Sequence, residues 1–209
     1  TTATIYIHNI NNGQTQNTSD DTLISNLNVV VPAAGKLVVG EEATGTWCSW
    51  CPRGAVGLNW MDHDYEGYWQ GIAVHNGDLM VNSIYDNGIS PYISGYPSGL
   101  VDRGASMNPS RDGFAAEFLQ RIVVSPSVIL DNGAELDGNI LNVSLEINFQ
   151  QAVNGPYRLA CTLIEDSVTG SGPQYYQANA YSGGGAGPLL DVDGTDSVSY
   201  THLRAHETL

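Results

Sequence analysis

Two cysteines set two residues apart, in the run Trp47-Cys48-Ser49-Trp50-Cys51-Pro52, are the side chains best placed by type and spacing to do chemistry. The run follows an apolar stretch and opens a predicted helix. A helix N-terminus carries partial positive charge and unpaired N–H groups, both of which stabilise a thiolate. A thiol held there ionises below its free pKa of about 8.5 and becomes a nucleophile near neutral pH. The second cysteine is placed to close a disulfide or to resolve a mixed one. Half of a zinc site and coincidence are the competing readings. Structural zinc normally takes four ligands, and no second C-x-x-C pair is present. A strand before the pair and a helix after it favour the redox reading.

The elements that must hold this pair can be read from periodicity and breakers. Leu37 to Gly40 is a short apolar run of the kind buried on both faces of a sheet, and Glu41 to Thr46 reads as a loop. Cys48 then opens a helix that ends near Tyr65 to Gly67, with Pro52 suited to a first turn where a missing N–H costs nothing. Gly71 to His75 is the next buried strand, followed by the turn signal Asn76-Gly77-Asp78. Leu79 to Ile93 is partly helical, broken at Ser90-Pro91. Gly95 to Asp102 reads as a tight turn entering a strand, with no final hairpin strand evident after it. Phe114, Phe118, Leu119 and Ile122 give Asp112 to Ile122 a helical period, with Ser110 or Asp112 as N-cap. Strands with helical crossovers predict an α/β layer over residues 35–124.

Both flanks differ in texture. Residues 1–34 read as a strand at Ala3 to Ile7, a polar stretch, an apolar run at Leu27 to Val31 and a linker. After Val124, strand-like runs at Val128 to Leu130, Ile140 to Phe149 and Tyr157 to Ile164 are separated by Asp131-Asn132-Gly133, Asp137-Gly138-Asn139 and Asn154-Gly155-Pro156. These turn signals predict an antiparallel β-sandwich-like domain over residues 125–196, cut short at its end. Ser182 to Pro188 is a glycine-rich loop. Val198 to Thr208 bears no relation to what precedes it and resembles a sequencing adapter read as coding sequence in metagenomic translations. Residues 197–209 are therefore set aside as non-native.

Lys+Arg 7 against Asp+Glu 22 gives a net charge of −15, which repels nucleic acid and anionic membrane surfaces. No apolar run approaches the roughly 20 residues of a membrane span. Three cysteines are too few for a disulfide scaffold. Scarce Lys with abundant Asn, Ser, Thr and Gly leans towards an extracytoplasmic protein. The lack of an initiating Met and of a signal peptide reads as a mature or trimmed chain.

Over about Lys36 to Gln120 the chain resembles the thioredoxin-like superfamily, on the strength of Trp47-Cys48-x-x-Cys51 and Tyr96-Pro97. The resemblance implies a cis Pro97 seated against the disulfide, since proline makes a cis peptide accessible. The Tyr96 backbone is then offered to an extended substrate segment. It implies Cys48 as attacking thiolate, Cys51 as resolving thiol, and Trp47, Trp50 and Tyr96 as an apolar rim. Glu42 stands where thioredoxins carry a proton-transferring acid beneath the resolving cysteine. Burial would raise its pKa towards neutrality, and Glu41 is the competing candidate. Ser49-Trp50 departs from the Gly-Pro of thioredoxins and the Pro-His of strong oxidants. Glu41 to Gly54, Ile72 to Asp78 and Gly95 to Ser98 resemble more closely a Gram-negative family named for a twenty-eight-kilodalton outer membrane protein. That family joins a thioredoxin-like domain to a β-rich region, which Tyr175 to Pro188 also resembles.

Other residues offer less. Arg53 adds positive potential to the first helical turn or is solvated. His75 caps a turn, or binds metal with the cysteines as in copper-handling relatives. Asp191-x-Asp193-Gly194-x-Asp196 has the look of a calcium loop without its closing acid. Cys161 reads as a buried apolar residue, and Asn142-Val143-Ser144 fits a glycosylation pattern. The leading expectation is an extracytoplasmic thiol–disulfide oxidoreductase acting on protein thiols and disulfides without a cofactor. It is placed in the periplasm, at the outer membrane or in the medium. The alternatives are a non-catalytic surface interaction protein built on the same scaffold, and a metal-handling variant.

Overall fold

The computed structural model describes residues 2–6, 22–26, 29–166, 168, 170–182, 186, 188–194 and 207–208, with backbone alone for the segments 2–6, 22–26 and 207–208. The chain divides into two units, Thr1–Val31 and Pro32–Leu209. In the first, β1 (Thr2–Tyr6) pairs antiparallel with β2 (Thr22–Asn26), Thr2 opposite Asn26. The first expected strand is found. The second lies before the apolar run at Leu27 to Val31, over Thr22–Asn26, and Leu27 itself is outside the described residues.

The second unit is built on a sheet whose centre is β3 (Val38–Thr44). The expected loop at Glu41 to Thr46 is corrected here, because the strand runs on to Thr44 through two glutamates. It continues because both neighbours continue: β4 (Trp69–His75) pairs parallel along all of β3, and β5 (Ser98–Val101) pairs antiparallel over Gly40 to Ala43. Two-residue strands β8 (Ile164–Glu165) and β9 (Glu207–Thr208), the latter within the tail set aside from the sequence, complete the order β5-β3-β4-β9-β8. The strand missed after β5 survives as a single bridge between Gly99 and Met107.

Strand alternation sends neighbouring residues to opposite faces. On one face Val38, Trp69, Ala73 and Val101 pack against Leu58 and Met61 of α1 (Pro52–Asp64) and Phe114 and Phe118 of α3 (Arg111–Arg121). On the other, Ala43, Ile72, Val74 and Leu100 pack against Ile89 of α2 (Ser83–Ile89). Pro52 takes the first position of α1, and Ser110 caps α3 by accepting the Gly113 N–H. Leu119, expected on the buried face of α3, is 41% exposed.

β6 (Val128–Asp137) and β7 (Ile140–Phe149) form one antiparallel hairpin around Gly138, which takes φ 59°. The turn expected at Asp131-Asn132-Gly133 is absent; β6 runs straight through it, with Asn132 opposite Leu145. Tyr157 to Leu163 carries no strand, so a sandwich is not seen among the described residues. The register gathers Leu130, Ala134, Leu136, Leu141, Val143, Leu145 and Ile147 on one hairpin face. Cys161 is exposed rather than buried, and among the described residues no second sheet covers its segment. Among the described residues no helix is long and apolar enough to cross a membrane.

Candidate active site

Cys48 and Cys51 are joined as a disulfide. The helix starts later than the sequence predicts: Cys48 lies in a turn closed by Cys48 N–H to Gly45 O at 2.9 Å, and Cys51 is the N-cap of α1. The positive end of α1 still faces the pair. Cys48 is 5% and Cys51 1% exposed.

Glu42 is fully buried on the α1 face of β3, and neither carboxylate oxygen has a hydrogen-bond partner. Gly54, three residues beyond Cys51 and so on the same side of α1, has no Cβ because one would overlap that carboxylate. Burial holds the Glu42 pKa well above the usual carboxylate value; the nearby Thr44 hydroxyl and Arg53 charge offset only part of this. Arg53 is therefore a neighbour of the site, and its buried Nε makes no hydrogen bond. A cavity of about 20 Å³, room for one water, is lined by Glu42, Thr44, Thr46, His75, Tyr175 and Gln177 among others.

Glu41, the competing acid, faces the other side of the sheet. Its two oxygens share the single Arg103 Nε–H in a bifurcated bond, and Oε1 also accepts from the Tyr85 hydroxyl at 2.6 Å. Burial and then the Glu41 contact push the Tyr85 hydroxyl up to about 12. Arg103 reaches back from a left-handed turn at Asp102 and Arg103, φ 47° and 54°. Such backbone costs roughly 1–2 kcal/mol per residue, offset here by charge-assisted bonds. Asp102 accepts from Val39 N–H and pairs with Lys36.

The peptide before Pro97 is cis, as expected. Trp47 meets Tyr96 edge to face at 5.3 Å and donates its indole N–H to Asn76 O at 2.7 Å, joining the cysteine loop to the proline loop. Trp50 does not complete that rim. It packs on Tyr181 at 5.6 Å instead, leaving Trp47 51% and Trp50 49% exposed. His75 is buried against Asp78, Nδ1 to Oδ2 2.6 Å, and Asp78 also accepts the Thr46 and Met80 N–H groups. Burial alone would raise the Asp78 carboxyl, but these bonds and the His75 charge outweigh it and lower its pKa.

Asp78 and Gln177 carry the loop, and neither stands out in the sequence. A turn signal marked Asp78 and a family-like stretch marked Gln177, with no role for either. Among the described residues no three His, Cys, Asp or Glu side chains converge on a metal site, so His75 and the two cysteines lack that geometry. Asp191 instead accepts from Asn59 Nδ2 at 3.0 Å, and Asp196 of the calcium-like motif lies outside the described residues.

No family model and no curated protein matches the sequence. A solved structure does: HBP35 of Porphyromonas gingivalis, at 16% identity and a TM-score of 0.54, over 83% of this chain. The chain spans 55% of that protein's length. At this identity the likeness is one of fold, and the fold they share is a mixed α/β one.

Proposed function

We propose that the protein is a thioredoxin-like thiol–disulfide oxidoreductase acting on protein substrates outside the cytoplasm, in the periplasm, at the outer membrane or in the medium. The buried carboxyl group of Glu42, set against Gly54 one helical turn beyond Cys51, carries this reading. A carboxylate buried without a partner destabilises a fold, and a passive scaffold gains nothing from one. Starting from the disulfide, a substrate thiolate attacks Cys48 Sγ and the Cys48–Cys51 bond breaks. Cys51 leaves as a thiolate and takes the proton that Glu42 holds. A second substrate thiolate then attacks the mixed disulfide, forming a substrate disulfide and releasing reduced Cys48. The reverse sequence reduces a substrate, with Glu42 accepting the Cys51 proton. Trp47 and Tyr96 exclude water beside Cys48 and support the partner chain. No hydrogen bond engages the Tyr96 backbone among the described residues, which leaves it for an extended substrate segment. The resemblance to the outer-membrane family and the charge of −15 support the location.

Redox titration tests the proposal. A midpoint above about −300 mV fits exchange, whereas one below it marks an inert structural disulfide and sinks the reading. The near-complete burial of both cysteines favours the second reading, a non-catalytic interaction protein on the same scaffold. Alkylation of the reduced protein separates the two: Cys48 should react first, near neutral pH, in an oxidoreductase.

A further inference from the structure

The segment Tyr175 to Tyr181 belongs to neither the strands nor the helices that build the site, yet it is bonded to the cysteine loop along its length. Ala178 N–H donates to Thr46 O at 2.7 Å and Ala180 N–H to Ser49 O at 2.8 Å. Just before them, the Gln177 carboxamide donates to Gly45 O at 3.2 Å, to Cys48 O at 2.8 Å and, within its own segment, to Ala178 O at 3.1 Å. Tyr181, buried, closes the far end on Trp50. Gln177 and Tyr175 also form part of the wall of the cavity that Glu42 lines.

We propose that Gln177 is a positioning residue of the dithiol site. It holds the loop carbonyls at Gly45 and Cys48, and it roofs the cavity through which the Glu42 carboxyl is reached. The inference rests on the thiol–disulfide reading and adds to it that residues far beyond the α/β layer set the site's chemistry. Two consequences follow from geometry. Loss of the donor leaves Gly45 O and Cys48 O with only their turn bonds from Cys48 N–H and Cys51 N–H, so the loop opens more often. Loss of the roof lets bulk water reach a carboxylate that burial keeps protonated. The groups facing Glu42 are the Thr44 hydroxyl on its own strand, Arg53 from α1, His75 from β4 with Asp78 behind it, and Tyr175 from the segment itself.

The test uses the whole chain and readouts that need no substrate. The Glu42 carboxyl carbon is titrated by NMR in the oxidised protein, and alkylation of Cys48 is followed in the reduced one. Gln177→Ala should lower the Glu42 midpoint by about one pH unit, a tenfold change in ionisation at fixed pH. Gln177→Glu, which places a second carboxylate at the cavity wall, should raise it. Gln177→Met fills the same space without a donor; it should leave the Glu42 midpoint high and speed Cys48 alkylation about tenfold, as expected for losing one or two hydrogen bonds. Shifts of one sign in the Ala and Glu variants, or unchanged midpoints with unchanged alkylation in all three, overturn the proposal. Should Q177A fail to fold, the other two decide: a raised midpoint in Q177E together with an unchanged midpoint and faster Cys48 alkylation in Q177M supports the proposal, and any other pair of results overturns it. A wild-type protein that exchanges with no protein disulfide defeats the oxidoreductase reading and leaves these readouts intact.

Discussion

The Glu42 carboxylate lies against the bare Cα of Gly54, so that the buried acid of β3 and the missing side chain in α1 form a matched pair. Gly54→Ala should therefore cost about 1–3 kcal/mol, the usual range for overpacking. Truncating the acid in the same molecule should return part of that loss. Urea unfolding of G54A, E42A and the double variant measures this as a coupling energy. Additive losses would show that the two do not touch.

Glu42 should also give stability a pH slope. Its folded pKa is raised by burial, so the folded state keeps a proton that the unfolded chain releases near pH 4.3. Stability is then fully present below that value and falls as pH rises towards the raised folded pKa, by about 1.4 kcal/mol for each unit of difference. Glu42→Gln should flatten the slope, leaving the variant more stable than wild type on the alkaline side. Denaturation midpoints from pH 4 to 9 read this out.

Glu41 should behave as a structural acid. Its partner Arg103 is 39% exposed at the side chain while Glu41 is 2% exposed, so Arg103→Ala strands a buried carboxylate. The expected loss is about 3 kcal/mol, the low end for breaking a buried pair. Glu41→Gln should leave the pH profile of Cys48 alkylation where it is, whereas Glu42→Gln should move it. If both move it equally, the division of labour between the two faces of β3 is wrong.

Asp78 ties the end of β4 to the cysteine loop through His75 and the Thr46 N–H. Because its pKa is lowered, its contribution is present above the unfolded value of about 3.9 and is lost as pH falls through the lower folded value. Asp78→Ala should cost about 1–3 kcal/mol at pH 6 and remove that acid-side loss. The Trp47 indole, held on Asn76 O, offers a fluorescence signal for the loosened loop.

Much of the site was legible in the chain itself. The Cys48–Cys51 spacing, Pro52 at the helix start, the Tyr96-Pro97 bend, the Ser110 cap and the Gly138 hairpin all depend on residues that are near neighbours. Local backbone chemistry decides such features, and a linear pattern carries it. The phase of Glu41 and Glu42 could not be read that way. Two successive acids look like a solvated loop until strands on both sides extend β3 through them, and alternation then sends one to Arg103 and the other beneath α1. The same holds for Gln177, which meets the Cys48 carbonyl from 129 residues away, and for Cys161, exposed where among the described residues no sheet covers its segment. The sequence alone determined which residues could carry thiol chemistry. Tertiary packing decided which acid is buried on the α1 face and which pairs with Arg103, because burial and partner choice are properties of neighbours that the chain brings together only on folding.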